Sequence, residues 1–190
     1  MIRTFTGPMF SDKSASLIDI YTCLWNKDIV IAFKPKQDVR DGAVIKSKKY
    51  EGVEIPAALV ETTEEIKESI INSKFRTVFI DEAQLLKGDV RELVDLSVIL
   101  NIDFYIAGLN MTSEQEPFGI MAHILAVSDE ITHIHGYCQD CNKPSCFTYS
   151  LNENKKGQVE VGDNYVSVCP ECLKRRTLTN SRNKLTLRRV

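Results

Sequence analysis

Over the first 126 residues, short apolar runs rich in β-branched and aromatic side chains alternate with longer stretches in which apolar positions return every three or four residues. "IRTFTG", "DIVIAFKP", "FRTVFID" and "DFYIAGLN" read as strands, and "SASLIDIYTCLW", "EEIKESIIN" and "VRELVDLSVILN" read as helices. Strand alternating with helix requires crossover connections, which make a mainly parallel sheet. Two strands, "TVFI" and "FYIAGL", are almost wholly apolar, as strands covered on both faces must be. In Asp89 to Asn101, Val90, Leu93, Val94, Leu96 and Val98 stand at near-helical spacing and predict one face packed on that sheet. The pattern predicts an α/β domain over residues 1–128.

After Ser128 the long apolar runs stop, and two cysteine pairs bracket a polar segment, "LNENKKGQVEVGDNY". "CQDC" (Cys138, Cys141) and "CPEC" (Cys169, Cys172) are both C-x-x-C, with 27 residues between them. Two intervening residues let a tight knuckle aim both thiolates at one ion, and two knuckles close a four-sulfur shell suited to structural zinc. The alternative is two unrelated pairs of surface thiols. A closed shell has no open position for a substrate, so a small metal-held domain is expected over residues 129–172. Cys146 and Cys23 fall outside the spacing, and Cys23, in an apolar helical run, is read as core packing. His133 and His135 alternate as on a strand and are read as structural or solvent-facing.

Composition narrows the class further. At 190 residues, 43% hydrophobic and 26% charged, the chain can bury an ordinary core without disulfide staples. No apolar run approaches the roughly 20 residues of a membrane helix, and "MIRTFTGPMF" lacks the apolar core of a secretory signal. A cytoplasmic protein without membrane contact is expected, in which cysteines serve as metal ligands or free thiols. Seven of the 24 Lys and Arg lie in residues 173–190, leaving 17 against all 26 acidic residues, or a net charge of −9, over residues 1–172. Such a basic tail could touch nucleic acid or an acidic partner surface, but it has no interleaved aromatics to stack bases. A solvated or subunit-contacting end is the preferred reading.

The stretch with the most specific chemistry is "GPMFSDKS", Gly7 to Ser14, which lies between the first strand and a helix opening at Lys13. It nearly matches the phosphate-loop pattern G-x-x-x-x-G-K-[ST], with Asp12 in place of the second glycine. Backbone N–H groups of such a loop surround phosphates; Lys13 would reach the β and γ phosphates and Ser14 would hold Mg²⁺. "VFIDEAQ" then puts Asp81 and Glu82 at the C-terminal end of a buried strand, where open parallel sheets bind ligands. An acid there can hold magnesium, and a neighbouring Glu can take a proton from an attacking hydroxyl. Alone, the acidic pair could simply cap a turn.

"GPMFSDKSASLI", "KPKQDVR", "VFIDEAQLL", "AGLNMTSEQEPFG", the two C-x-x-C pairs and "NYVSVC" occur in the order and spacing of the zinc-containing, tetrameric class of thymidine kinases. The resemblance spans roughly residues 3 to 172. It implies a phosphate-loop fold with a zinc lid, and transfer of the γ-phosphate of ATP to the 5′-hydroxyl of thymidine or a related deoxynucleoside. It implies Glu82 as general base, Asp81 as the magnesium-associated acid, and Lys13 and Ser14 as the loop lysine and hydroxyl. Gly7, Met9, Ser11 and Gln84 would complete the ATP site, with Arg40 supporting the phosphates beside Asp38. Met9, Leu85, Thr148, Val161 and Tyr165 would surround the nucleoside, partly through a lasso-like loop at about Val159 to Tyr165. The resemblance also implies a homotetramer.

The sequence departs from that family at informative places. Asp12 replaces glycine, Leu85 replaces a phenylalanine, Ser113 replaces a pocket aromatic, and Glu114 and Glu116 make a basic stretch acidic. A lost aromatic forfeits stacking of about 1–3 kcal/mol per base. Two unit charges 4 Å apart repel by about 1 kcal/mol in water and about 4 kcal/mol at an effective dielectric of 20, so Asp12 is expected to weaken or abolish ATP binding. Asp also tolerates left-handed backbone less well than glycine. As N-cap of the helix Lys13 to Leu24, Asp12 or Ser11 would occupy the N–H groups that phosphates need; alternatively Asp12 turns outward and activity survives. An active kinase is the leading expectation, a catalytically silent relative with a nucleoside-binding, structural or regulatory role its rival, and a zinc-ribbon nucleic-acid binder a distant third.

Overall fold

The computed structural model describes residues 1–24, 26–152 and 164–187, with side chains to residue 179. In chain order the elements are β1 (Ile2–Thr6), α1 (Lys13–Cys23), β2 (Val30–Pro35), β3 (Val44–Lys46), β4 (Glu54–Pro56), β5 (Ala58–Val60), α2 (Thr63–Ile70) and β6 (Thr77–Ile80). Then follow α3 (Arg91–Ile99), β7 (Asp103–Gly108), α4 (Met121–Val127), β8 (Glu130–His133), β9 (Gly136–Tyr137), β10 (Pro144–Ser145), β11 (Phe147–Ser150), β12 (Tyr165–Val168) and α5 (Pro170–Leu187).

Six strands form one sheet in the order β5-β2-β6-β7-β1-β8, every neighbouring pair parallel. Alternation along the strands sorts the core into two layers. Val78, Ile80, Phe104 and Ile106 pack with Ile66 and Ile70 of α2, Leu93 and Leu96 of α3 and Ile124 of α4. Ala32, Phe79 and Ala107 face the other way, onto Leu17 and Ile18 of α1 and onto Ile45 and Ile55 of the β3–β4 hairpin. Both faces of the central strands are therefore covered, which is why they read as continuous apolar runs. Among the described residues no helix is long and apolar enough to cross a membrane.

Three local expectations change. Val98 is 72% exposed; at 100° per residue it lies about 140° round the helix from Leu93, away from the packed stripe. Cys23 ends α1 and is exposed rather than in the core. β8 still pairs with β1, so the main sheet extends past residue 128 to His133. All four β8 residues are exposed, and an edge strand without a buried face carries no apolar signature.

The cysteine-bearing unit is built from two small antiparallel pairs, β9–β10 and β11–β12, and from α5. Its core is Cys138, Val166, Val168, Cys169 and Cys172, with Phe147, Tyr149 and Leu173 against it. Helix α5 starts at Pro170, so the basic tail is continuous with the second knuckle through Leu187. Arg176 binds Asp140 of the first knuckle (Nε–Oδ2 2.9 Å) and lies over the Tyr149 ring, which commits part of the tail's charge to this unit. The unit hangs on the loop after β1: Ile134 N–H donates to Thr6 O (2.7 Å), and Met9 N–H donates to Thr148 Oγ1 (3.0 Å). A Cβ on Gly7 would come within 2.0 Å of Ile134 O, so this crossing admits only glycine.

Candidate active site

Residues 7–12 turn the chain from β1 into α1, and the buried side chains of Ser11 and Lys13 bond back to the loop. Ser11 Oγ donates to Pro8 O (2.9 Å), and Lys13 Nζ donates to the same carbonyl (2.7 Å) and to Ser11 Oγ (3.4 Å). Burial lowers the Lys13 ammonium's pKa, against the opposing pull of Glu82 and Asp81. Asp12 takes the left-handed conformation itself (φ 59°, ψ 32°) and supplies the turn that glycine would otherwise supply. Its side chain makes no capping hydrogen bond and is exposed, so the expected internal cap is not formed. The reason is geometric: an N-cap side chain reaches the first turn from extended backbone, whereas left-handed backbone swings its Cβ away.

Across the cavity, Asp81 and Glu82 follow β6 directly. Asp81 Oδ2 accepts from Ser14 Oγ (2.8 Å), and Asp81 Oδ1 accepts from Glu82 N–H (3.0 Å). Burial and the Glu82 charge push the Asp81 carboxyl up to about 7, against the opposing hydrogen bonds. An oxygen pair so short of positive charge fits a hard cation such as Mg²⁺, with the Ser14 hydroxyl and the Asp81 carboxylate as its donors.

Glu82 is also left-handed (φ 50°); two side chains hold its carboxylate, and the second of them is itself anchored. Arg40 Nη2 donates to Oε1 (2.6 Å), Gln84 Nε2 donates to Oε2, and Gln84 Oε1 accepts Leu109 N–H (2.9 Å). Arg40 is gripped in turn by Asp38, through Nε to Oδ1 (2.7 Å) and Nη2 to Oδ2 (3.0 Å). Lys34, 2% exposed, closes the chain with Nζ 3.2 Å from Asp38 Oδ2. Lys34 was missed at the sequence level, although a lysine inside the apolar strand "VIAFKP" was a visible signal.

Met9, Ser11, Lys13, Ser14, Arg40, Asp81 and Glu82 line one cavity of about 450 Å³, together with Asp12, Lys34 and Asp38. The end of β3 and the turn after it add Lys46, Ser47 and Lys48 to the wall, three residues that sequence reasoning did not select. Gln84 is buried behind Glu82. Leu85 lines a separate hollow of about 280 Å³ with Pro35, Lys36 and Lys87. Thr148 meets the phosphate-type loop through Met9, and Tyr165 is buried on β12 opposite Ser150. Val161 and most of the expected lasso loop lie outside the described residues.

The four cysteines come together, every pair of sulfurs lying within 4.8 Å. A tetrahedral zinc–thiolate shell with bonds of about 2.3 Å sets neighbouring sulfurs about 3.8 Å apart; Cys141 Sγ lies 3.7 Å from Cys169 Sγ and 3.6 Å from Cys172 Sγ. Burial raises the Cys138 thiol, but backbone N–H groups of Cys169, Asp140 and Cys141 outweigh it and bring it down to about 6, ready to ligate as thiolate. Zinc fits this donor set. Cys146 stays outside the cluster, and His133 and His135 are exposed.

A strand–loop–helix unit with a lysine and hydroxyl at its helix start, facing an acidic pair at the C-terminal edge of a parallel sheet, defines a phosphate-loop protein of the phosphotransferase kind. Comparison with known proteins narrows this: the family model described as thymidine kinase matches residues 1–173. The chain belongs to the thymidine kinase family. It is 32% identical over 158 residues to the thymidine kinase of Aster yellows witches'-broom phytoplasma (strain AYWB), covering 83% of this chain and 75% of that one. It is 29% identical over 178 residues to the thymidine kinase of Mesomycoplasma hyopneumoniae (strain 7448), covering 90% and 94%. A third relative, the thymidine kinase of Pseudothermotoga lettingae, is 30% identical over 177 residues, covering 90% and 93%.

Proposed function

We propose that this chain is an active thymidine kinase that transfers the γ-phosphate of ATP to the 5′-hydroxyl of thymidine. The observation that carries the reading is the convergence of Lys13, Ser14, Arg40, Asp81 and Glu82 on one cavity while the Asp12 carboxylate leaves the first turn of α1 uncapped. The N–H groups at that helix start are left to phosphate oxygens. Glu82 takes the proton of the 5′-hydroxyl, the freed oxygen attacks the γ-phosphorus, and the bond to the ADP oxygen breaks. Lys13 leaves the Pro8 carbonyl for the phosphates, and Arg40 neutralises charge on the transferring group. Mg²⁺, held by Ser14 and Asp81, would supply charge neutralisation of the triphosphate. Thr148 and Tyr165 contribute to nucleoside binding, and a zinc ion in the four-cysteine shell holds the lid that carries them. The family membership supports a homotetramer working in the cytoplasm.

Transfer of label from γ-labelled ATP to a panel of deoxynucleosides tests this. Thymidine is expected to be phosphorylated by the wild type, and Glu82→Gln is expected to lose about 10²–10⁴-fold in kcat, the contribution of a general base. Asp12→Gly is expected to keep activity with a lower KM for ATP. Transfer that appears only in Asp12→Gly would instead establish the silent relative.

A further inference from the structure

The buried pair Lys34–Asp38 has no role in the transfer just described, yet it stands directly behind Arg40. Asp38 accepts two hydrogen bonds from the Arg40 guanidinium, and both its carboxylate and Lys34 are only 2% exposed at the side chain. A bidentate arginine–carboxylate pair is neutral as a unit, and a neutral pair attracts a triphosphate poorly. Lys34 changes that balance: its ammonium meets the same Oδ2 that accepts from Arg40 Nη2. The Lys34–Asp38–Arg40 triad carries one net positive charge. With Lys34 closed off from solvent and Arg40 at 42% exposed, that charge is delivered at the guanidinium. There it meets Glu82, through the 2.6 Å contact with Arg40. Lys34 also donates weakly to Val44 O (3.4 Å), at the start of the hairpin that brings Lys46 and Lys48 to the cavity. With Asp12 adding a carboxylate to the same wall, an uncancelled Arg40 carries more weight here than in a loop with glycine.

We propose that Lys34 is a positioning residue for nucleotide recognition: it neutralises Asp38, so that Asp38 can orient Arg40 without cancelling the charge Arg40 offers to the phosphates. The inference rests on the kinase reading. It differs from a purely structural role for the buried pair, in which Lys34 only compensates Asp38 for lost solvation.

Calorimetric titration of the full zinc-loaded chain with Mg-ATP separates the two, using wild type, Lys34→Met and Lys34→Met/Asp38→Asn, each with and without Arg40→Ala. Circular dichroism and zinc content establish that each variant is folded. Lys34→Met is expected to weaken ATP about tenfold, because Arg40 and Asp38 then cancel, while the KM for thymidine stays within about twofold. The double variant again leaves Arg40 a net cation and is expected to bind ATP within about threefold of wild type. A double variant as weak as Lys34→Met overturns the proposal, as does an Arg40→Ala penalty equally large in Lys34→Met and in wild type. If Lys34→Met fails to fold, the double variant decides: Arg40→Ala should cost there what it costs in wild type, and no cost overturns the proposal. A wild type that binds Mg-ATP but transfers no phosphate sinks the kinase reading alone, with the binding series still deciding the role of Lys34. No Mg-ATP binding by the wild type overturns both.

Discussion

Asp12 and Glu82 sit in left-handed backbone at two walls of one cavity, at φ 59° and 50°. Outside glycine this conformation costs about 1–2 kcal/mol, so the surroundings must hold it. Around Glu82 the holders are visible as Arg40, Gln84 and the Asp81 carboxylate. Asp81 has a consequence for stability. Its pKa stands at about 7 in the fold, against about 3.9 in an unfolded chain, because burial and Glu82 disfavour its charge. A raised carboxylate pKa destabilises: the penalty is absent below pH 4, grows as pH rises to about 7 and is complete above it. In Mg²⁺-free buffer with zinc retained, Asp81→Asn is therefore expected to gain stability over wild type by about 2 kcal/mol between pH 5 and pH 8, read by urea denaturation. A gap that stays constant with pH would show that Asp81 is not held up in this way. At this scale the sequence was legible wherever neighbours along the chain make the chemistry, as for Lys13 with Ser14 or Asp81 with Glu82. It was silent on Arg40 meeting Glu82, 42 positions further along the chain, and on Lys34 behind them.

Helix starts show how the same capping chemistry works in one element and not in another. Before α2, Thr62 has extended backbone (φ −131°, ψ 160°), and its hydroxyl accepts from Glu65 N–H at 3.2 Å. Before α1, Asp12 is left-handed and caps nothing. Thr62→Ala is expected to lower stability by about 1 kcal/mol in urea denaturation while leaving phosphate transfer unchanged, since α2 packs away from the cavity. An unchanged midpoint would mean that the Thr62 cap contributes nothing. The strands with two buried faces and the helices with an apolar stripe were readable, because periodicity depends only on residues a few positions apart. β8 was not, because its partner lies more than 120 residues earlier and its side chains are exposed. The continuity of the tail with α5 was hidden for a similar reason: the Arg176–Asp140 contact is made 36 residues apart.

For the molecule as a whole, the parallel sheet and the cysteine-bearing unit differ in what holds them. The sheet has a packed layer on each face, whereas the smaller unit has strands of two to four residues and a core in which three of five buried residues are cysteines. Two-stranded pairs of that length are not stable alone, so a zinc ion in the four-cysteine shell would supply folding energy. Removing zinc with a chelator, or Cys172→Ser, is expected to abolish thymidine phosphorylation and open protease cleavage after His133, while most of the far-UV dichroism of the sheet and its helices remains. Retained activity without zinc would contradict that dependence. By itself the sequence determined the alternating strand–helix architecture, the loop before α1 and the two knuckles, because each is a pattern of residues close along the chain whose spacing suffices to specify local geometry. Only the tertiary structure decided the strand order, the outward turn of the Asp12 side chain, the placing of Leu85 in a separate hollow and the Lys34–Asp38–Arg40–Glu82 chain. Those depend on which distant segments the packed core brings into contact, a choice made by the free energy of the whole fold and carried by no single stretch of residues.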